Sequence, residues 1–413
     1  MLDLSATLAS DTFAQRARHP DFPTAFTRRR SLPLAALVAA LLSAKACSQQ
    51  IMLDAFYGAL SGEAGLRRGV SDRAFAKARS HLQAPALARL NDELSARADG
   101  AGLVPRWQGL RLVAGDASVL RPAIRACRRT RGLAQADQRQ FALYLPGAES
   151  TLHAAVHAAA ESERAMLAEA LDKLGPDDVP LLDRGYPAAW LVHLLTTRGV
   201  RFVMCCDTTA STWAALHAFM RGDAPEAQVQ LSPPKAQDVR DWGCSAQAPG
   251  VRLVRHVAPN GQVRVLMTNL LPTQAPAAAF GDLYHRRWRI EEAFKRLKHR
   301  LHIEAVSGLS QQALLVDVAA KTLADNLAAL LCAVAQPAPD KPTPPLRLCQ
   351  RAYAAQLLPR WLPRVLMATD NVLALIKQAL ALVARSARRR PPDRSAPRLS
   401  HRVKPHPHLA YKG

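Results

Sequence analysis

The chain lacks a CxxC pair and any cysteine–histidine spacing of the zinc-binding kind, although it carries seven cysteines, at 47, 127, 205, 206, 244, 332 and 349. A structural zinc site is therefore not its organising element. Cys205 and Cys206 are adjacent in a predicted strand, where a vicinal pair rarely bridges, so reduced thiols and a cytoplasmic location are expected. The first residues include Asp3 and show no basic-then-apolar signal pattern. Long apolar runs are missing too. Leu32 to Ala44 and Leu327 to Ala335 are too short or too interrupted to cross a bilayer, and no membrane partner is expected. Acid is scarce relative to base: Lys and Arg number 55 against 33 Asp and Glu, a formal net charge of +22. That excess favours a polyanionic partner, through phosphate neutralisation and counterion release. The basic residues cluster, at Arg28–Arg30, Arg125–Arg131, Arg286–Arg300 and Arg388–Lys412, which argues against a merely basic average composition.

The most informative segment runs from Tyr284 to Lys298. It has no Pro or Gly and many helix formers, so a helix is predicted. At about 100° per residue, Tyr284, Arg287, Glu291 and Lys298 fall on one narrow stripe, with Lys295 close by and Trp288 at its edge. Leu283, Ile290, Ala293, Phe294, Leu297 and Leu301 form a separate apolar stripe, and Arg289, Arg296, His299 and Arg300 occupy the remaining arc. A carboxylate framed by cations and a phenol suits metal binding beside a phosphodiester.

Two further carboxylates stand upstream. Leu110 to Gly115 reads as a strand ending at Asp116, and Val179 to Leu182 as a short apolar run leading to Asp183 and a turn. A strand end is a rigid mount open to solvent. Taken singly, such aspartates are usually turn or cap residues. Glu291 alone would be a solvated partner of Lys295, and Tyr284 and Trp288 alone would be packing residues. Their joint order reverses those readings.

The spacing Tyr284-x2-Arg287-x3-Glu291-x6-Lys298 resembles the signature of DDE transposases of the insertion-sequence-4 type. Asp183-Arg184-Gly185-Tyr186 is similar to that family's second-aspartate motif, and Asp116-Ala117-Ser118 to its first, with Ala where relatives more often have Gly. The run Val70 to Arg79 and the segments Glu161–Arg164 and Arg394–Arg398 are also family-like, so the resemblance covers nearly the whole chain. Glu163 itself reads as a helix-start acid outside the site.

The resemblance implies an α/β, ribonuclease-H-like, mixed-sheet catalytic core with a β-rich insertion, flanked by N- and C-terminal helical regions. The expected divisions are an N-terminal helical domain, 1–105, as a candidate DNA-binding region; a first core part, 106–206; the insertion, 207–266; a second core part with the glutamate helix, 267–335; and a Pro-rich linker, helical region and basic tail, 336–413. Ser71 is expected to cap a helix, Asp238–Trp242 to be a strand, and the apolar helix from Gln311 to Ala335 to pack on the sheet. The family often has a basic residue after Phe202-Val203-Met204, where this chain has Cys205-Cys206-Asp207.

The expected chemistry is phosphoryl transfer. Asp116, Asp183 and Glu291 would hold two Mg²⁺ ions, with Mn²⁺ as a substitute, for oxygen ligands select hard divalent ions. By resemblance, Tyr284, Arg287 and Lys298 would grip DNA phosphates, and Trp288 would stack on an extruded base or pack on the sheet. The expected partners are double-stranded DNA, as inverted-repeat ends and as target, and a second copy of the chain in a synaptic homodimer. Two alternatives stay open: a decayed DNA-binding protein that competes for element ends, and a two-metal nuclease without strand transfer.

Overall fold

The structure is a computed structural model that describes residues 2–27, 31–44, 47–122, 137–209, 213–258, 261–308, 310–336, 347–367 and 371–389. The basic runs at 28–30 and 125–131, the Pro-rich linker and the tail with its Arg394–Arg398 segment lie outside the described residues. The chain divides into two compact units. A helical unit comprises the described residues within 1–103, 120–138 and 295–413, and an α/β unit comprises 104–119 and 139–294.

The helical unit opens with α1 (Leu2–Ala9), α2 (Asp11–Ala17), α3 (Leu34–Leu42), α4 (Gln49–Leu60), α5 (Asp72–Ser80) and α6 (Ala84–Gly100). The hydroxyl of Ser71 accepts from the Ala74 amide and caps α5 as expected. Eight residues of α3 are buried, which its unbroken Ala/Leu/Val sequence requires.

The α/β unit is built on one eight-stranded sheet. Its strands are β1 (Arg111–Leu120), β2 (Gln138–Leu145), β3 (Ser150–Ala158), β4 (Asp178–Leu182), β5 (Val203–Cys205), β6 (Glu226–Gln230), β7 (Gly250–Val257) and β8 (Val263–Thr268), in the order β3-β2-β1-β4-β5-β8-β7-β6. β2 and β3 are joined by four residues, a connection too short for anything but an antiparallel pair. β1, β4 and β5 run parallel, and β8, β7 and β6 continue the sheet antiparallel. The block β3-β2-β1-β4-β5 is the ribonuclease-H-like arrangement, and the expected β-rich segment extends the same sheet. The helices of this unit are α7 (Glu163–Glu169), α8 (Ala189–Thr197), α9 (Ala214–Arg221), α10 (Ala236–Trp242), α11 (Phe280–His285) and the first part of α12 (Arg289–His299), whose residues from Lys295 on belong to the helical unit.

Three expectations need correction. Asp238–Trp242, expected as a strand, lies within α10. Gly243 follows in the left-handed conformation that stops a helix, and Gln237 donates to Asp241 one turn on at 2.6 Å. The helix expected to run unbroken through Tyr284–Lys298 tightens into a 3₁₀ turn at Arg286–Trp288, which separates α11 from α12. The third concerns α13 (Gln311–Ala335), expected as a sheet-packing helix, which contributes its apolar residues to the core of the helical unit. There it packs with α6, α14 (Arg351–Leu366) and α15 (Val372–Arg385). A two-residue ladder of β9 (Arg347–Leu348) and β10 (Arg388–Arg389) completes the unit.

By length and composition α13 would span a bilayer, but most of it is buried among neighbouring helices. Its three buried ionisable residues are all satisfied, as burial of charge demands. Asp317 accepts from the Ser307 amide at 2.7 Å, and Lys321 donates to the carbonyls of His302 and Ala305, both at 2.8 Å. Asp325 meets Arg296 at 2.9 Å and Arg351 at 3.0 Å.

Candidate active site

Sheet register brings the two aspartates together. Ala114 of β1 lies opposite Leu181 of β4, so two residues on, Asp116 falls opposite Asp183 at the edge where these parallel strands part. Side chains alternate along a strand, so both carboxylates share the sheet face occupied by Leu112 and Leu181. β1 continues through Asp116 to Leu120, four residues past the expected strand end. Each aspartate is held by local backbone: Asp116 Oδ1 accepts from the Ala117 amide and Asp183 Oδ1 from the Gly185 amide, both at 2.8 Å.

The same sheet face receives α11. Phe280, Leu283 and Tyr284 join Leu112, Val179, Leu181 and Val203 in one apolar cluster. Burying these residues fixes the 3₁₀ turn and the start of α12 over the acid pair. Arg287 is buried there, with Nη1 at 3.5 Å from Asp116 Oδ2 and Nη2 at 3.0 Å from Glu291 Oε1. One guanidinium thus links the first aspartate to the glutamate. Burial pushes Arg287 down, but Tyr284, Asp116, Glu291 and Asp183 outweigh it and hold the group firmly cationic.

A third carboxylate arrives from the opposite face. Ser162 caps α7 by accepting from the Ala165 amide, and Met166 and Leu167 pack with Leu182 and Tyr186. This anchoring leaves Glu163, the first residue of α7, at the sheet edge. The carboxylate oxygens of Asp116, Glu163 and Asp183 all lie within 4.8 Å of one another. Arg139 approaches Glu163 at 3.3 Å. Glu163 was excluded by sequence reasoning. The available signal was the family-like Glu161–Arg164 segment, but an acid in a helix's first turn is so common that it draws no attention.

The electrostatics record the crowding. Burial pushes the Asp116 carboxyl up to about 7; Arg287 opposes this, and Asp183 and Glu163 add to it. Burial and then Asp183 raise Glu163, against Arg139. The phenol of Tyr186 is buried and driven well above its ordinary range, by burial and then by Glu163, Asp116 and Asp183. It therefore remains an O–H donor at any working pH.

The other expected site residues are placed as follows. Tyr284 is buried in the apolar cluster, and its side chain hydrogen-bonds that of Cys205. Trp288 is 41% exposed. Lys298, in the last turn of α12, lies 3.9 Å from Glu304. The expected apolar stripe is real up to its last member: Leu283, Ile290, Ala293, Phe294 and Leu297 are all buried, and Leu301 is only partly so. Arg296, on a different arc, is committed to Asp325.

The family model for the transposase DDE domain matches residues 121–327, half of the chain. The chain belongs to the DDE transposase family. The matched span contains Glu163, Asp183 and Glu291 and starts five residues after Asp116. Among solved structures this DDE transposase is similar to the piggyBac transposase, seen by cryo-EM in a synaptic complex with hairpin DNA. Identity is 8%, the TM-score is 0.41, and the match covers 92% of this chain and 84% of that one. No curated protein matches the chain. A DDE transposase requires a divalent metal, and the acid set fits one. All its donors are oxygens, the class that hard divalent ions take, and burial, with Asp183 and Glu163 adding to it, raises Asp116 to a value that a bound cation would lower.

Proposed function

We propose that the chain is an active transposase of the insertion-sequence-4 type. It binds the terminal inverted repeats of its element, cleaves there with Mg²⁺ and joins the freed 3′ end to target DNA, acting in the cytoplasm as a homodimer in the synaptic complex. The observation that carries this reading is the convergence of Asp116, Asp183 and the Arg287–Glu291 pair at one sheet edge. Asp116, Asp183 and Glu291 would hold the metal. A pair of Mg²⁺ ions, or Mn²⁺ in their place, supplies charge that activates a water or a DNA 3′-hydroxyl and stabilises the leaving oxygen.

The chain's own groups supply position. Arg287 offers a planar fork to a phosphate oxygen pair, and Lys298 a point charge. The exposed indole of Trp288 is suited to stacking on an extruded base. Tyr284, by packing on the sheet, fixes the angle at which this helix meets the acids.

The test is a cleavage and strand-transfer assay on supercoiled plasmid carrying the flanking repeats. Asp116→Ala, Asp183→Ala and Glu291→Ala should each abolish Mg²⁺-dependent cleavage while end binding stays nearly intact, because a lost carboxylate costs metal and not basic surface. Cleavage at full rate by any one variant removes that residue from the site. Cleavage by the wild type without joining would leave a nuclease.

A further inference from the structure

The acid set has a member that the expected Asp–Asp–Glu trio does not include, and near it lies a donor with no acceptor among the described residues. Glu163 brings its carboxylate within 4.8 Å of those of Asp116 and Asp183, although it comes from the other side of the sheet. Glu291, by contrast, is engaged by Arg287 at 3.0 Å. The buried hydroxyl of Tyr186 has no hydrogen-bond partner among the described residues. A buried hydroxyl without a partner costs on the order of 1–3 kcal/mol, so its retention calls for a reason. The charges acting on that hydroxyl are those of Glu163, Asp116 and Asp183, opposed by Arg287, so it lies near the acid set. Its backbone is fixed by the same turn, since the Tyr186 amide donates to the Asp183 carbonyl. Gly185 keeps the space between them open: a Cβ there would stand 3.1 Å from Asp183 Oδ1 and 4.0 Å from Glu163 Oε2.

We propose that Glu163 is a further metal-holding residue of this site, that Asp116, Glu163 and Asp183 form the pocket for the first divalent ion, and that the Tyr186 hydroxyl donates to an oxygen ligand of that ion. This rests on the metal-dependent reading above and deepens it. On this assignment the first ion loads without Glu291, which joins only when its pairing with Arg287 is rearranged. Arg139, 3.3 Å from Glu163, competes with the ion for that carboxylate.

The test is Mn²⁺ binding to the full metal-free chain, followed by calorimetry and by the loss of the free-ion electron paramagnetic resonance signal. Glu163→Gln should weaken the first Mn²⁺ by at least about tenfold, the scale of metal-site losses, as should Asp183→Asn. Glu291→Gln should stay within about threefold, below even the lower end of that scale. Tyr186→Phe should leave the metal-free melting temperature unchanged or higher and reduce the upward shift that Mn²⁺ produces. Arg139→Gln separates ligation from architecture. If Glu163 holds the ion, removing its competitor leaves affinity unchanged or raised. If Glu163 only braces Arg139, the two variants lose affinity alike and the proposal falls. It also falls if Glu163→Gln binds Mn²⁺ as the wild type does. If the wild type binds none, the metal-dependent reading fails and takes this inference with it. Glu163→Asp guards against misfolding, because a retained carboxylate should recover part of the affinity.

Discussion

Asp116 and Asp325 are both aspartates largely withdrawn from water, and their surroundings are opposite. Asp325, in the helical unit, meets two arginines at 2.9 and 3.0 Å, and these outweigh burial and hold its carboxyl below the ordinary range. Asp116, in the α/β unit, meets one arginine at 3.5 Å and two carboxylates, and its carboxyl is pushed up to about 7. The first arrangement is electrostatically complete in the protein alone. The second has a charge deficit that only a cation or a proton corrects. Structural charge and functional charge are thus told apart by whether the protein's own cations already outweigh the buried anion.

The largest expected effect on stability is at the complete site. Asp325→Ala leaves two arginines without their anion and should cost about 3–5 kcal/mol, read as a fall in the urea midpoint. A loss under about 1 kcal/mol, the range of a surface pair, would mean that the network is solvated and the contrast with Asp116 is lost. Arg296→Ala is the milder version, since Arg351 still faces Asp325. It should cost about 2 kcal/mol and leave single-turnover cleavage per folded molecule unchanged. A cleavage defect at equal folded fraction would show that the arc carrying Arg296 serves the chemistry.

The smallest effect has the opposite sign. An unfolded aspartate titrates near 4, and Asp116 in the metal-free fold near 7. Between these values the folded chain binds more protons than the unfolded one, so this group's contribution falls as pH rises from about 4 to about 7. Asp116→Asn should therefore stabilise the metal-free protein at pH 8 by on the order of 1–2 kcal/mol, after allowance for partial exposure. The gain should shrink to nothing near pH 4 and also vanish in saturating Mg²⁺. A variant less stable than the wild type at pH 8 would show that Arg287 already neutralises Asp116. Asp183 and Glu163 also face the group, so the midpoint belongs to the set and not to one residue.

Much of this was legible in the chain, and the misses have physical causes. Asp116 and Asp183 were readable because a short apolar run followed by an acid is a local pattern. Their pairing was not, because β1 and β4 are neighbours only after β2 and β3 have turned away, which is a property of topology. Glu163 was missed for the same reason: it meets Asp183 across the thickness of the sheet, and nothing in its own neighbourhood signals that. The apolar stripe of α12 was readable from period, but the 3₁₀ turn was not, since Arg286-Arg287-Trp288 contains no helix breaker. α13 looked like a sheet-covering helix from composition; Asp317, Lys321 and Asp325 mark it instead as the spine of a helical core, and only their buried partners reveal this.

The tight turn at Arg286–Trp288 sets a limit on what evolution can change here. A 3₁₀ residue advances about 120° where an α-helical one advances about 100°, so three of them add roughly 60° of rotation between Tyr284 and Glu291. The segment works as a fixed angular offset between a sheet-bound anchor and a carboxylate. One inserted or deleted residue would swing Glu291 about 100° round the axis, away from Arg287 and the acid edge. Outside Arg287 and Trp288, substitutions in this stretch can be absorbed by degree, whereas changes of length cannot, and lineages of this protein should vary the identity of those other residues long before they vary the number.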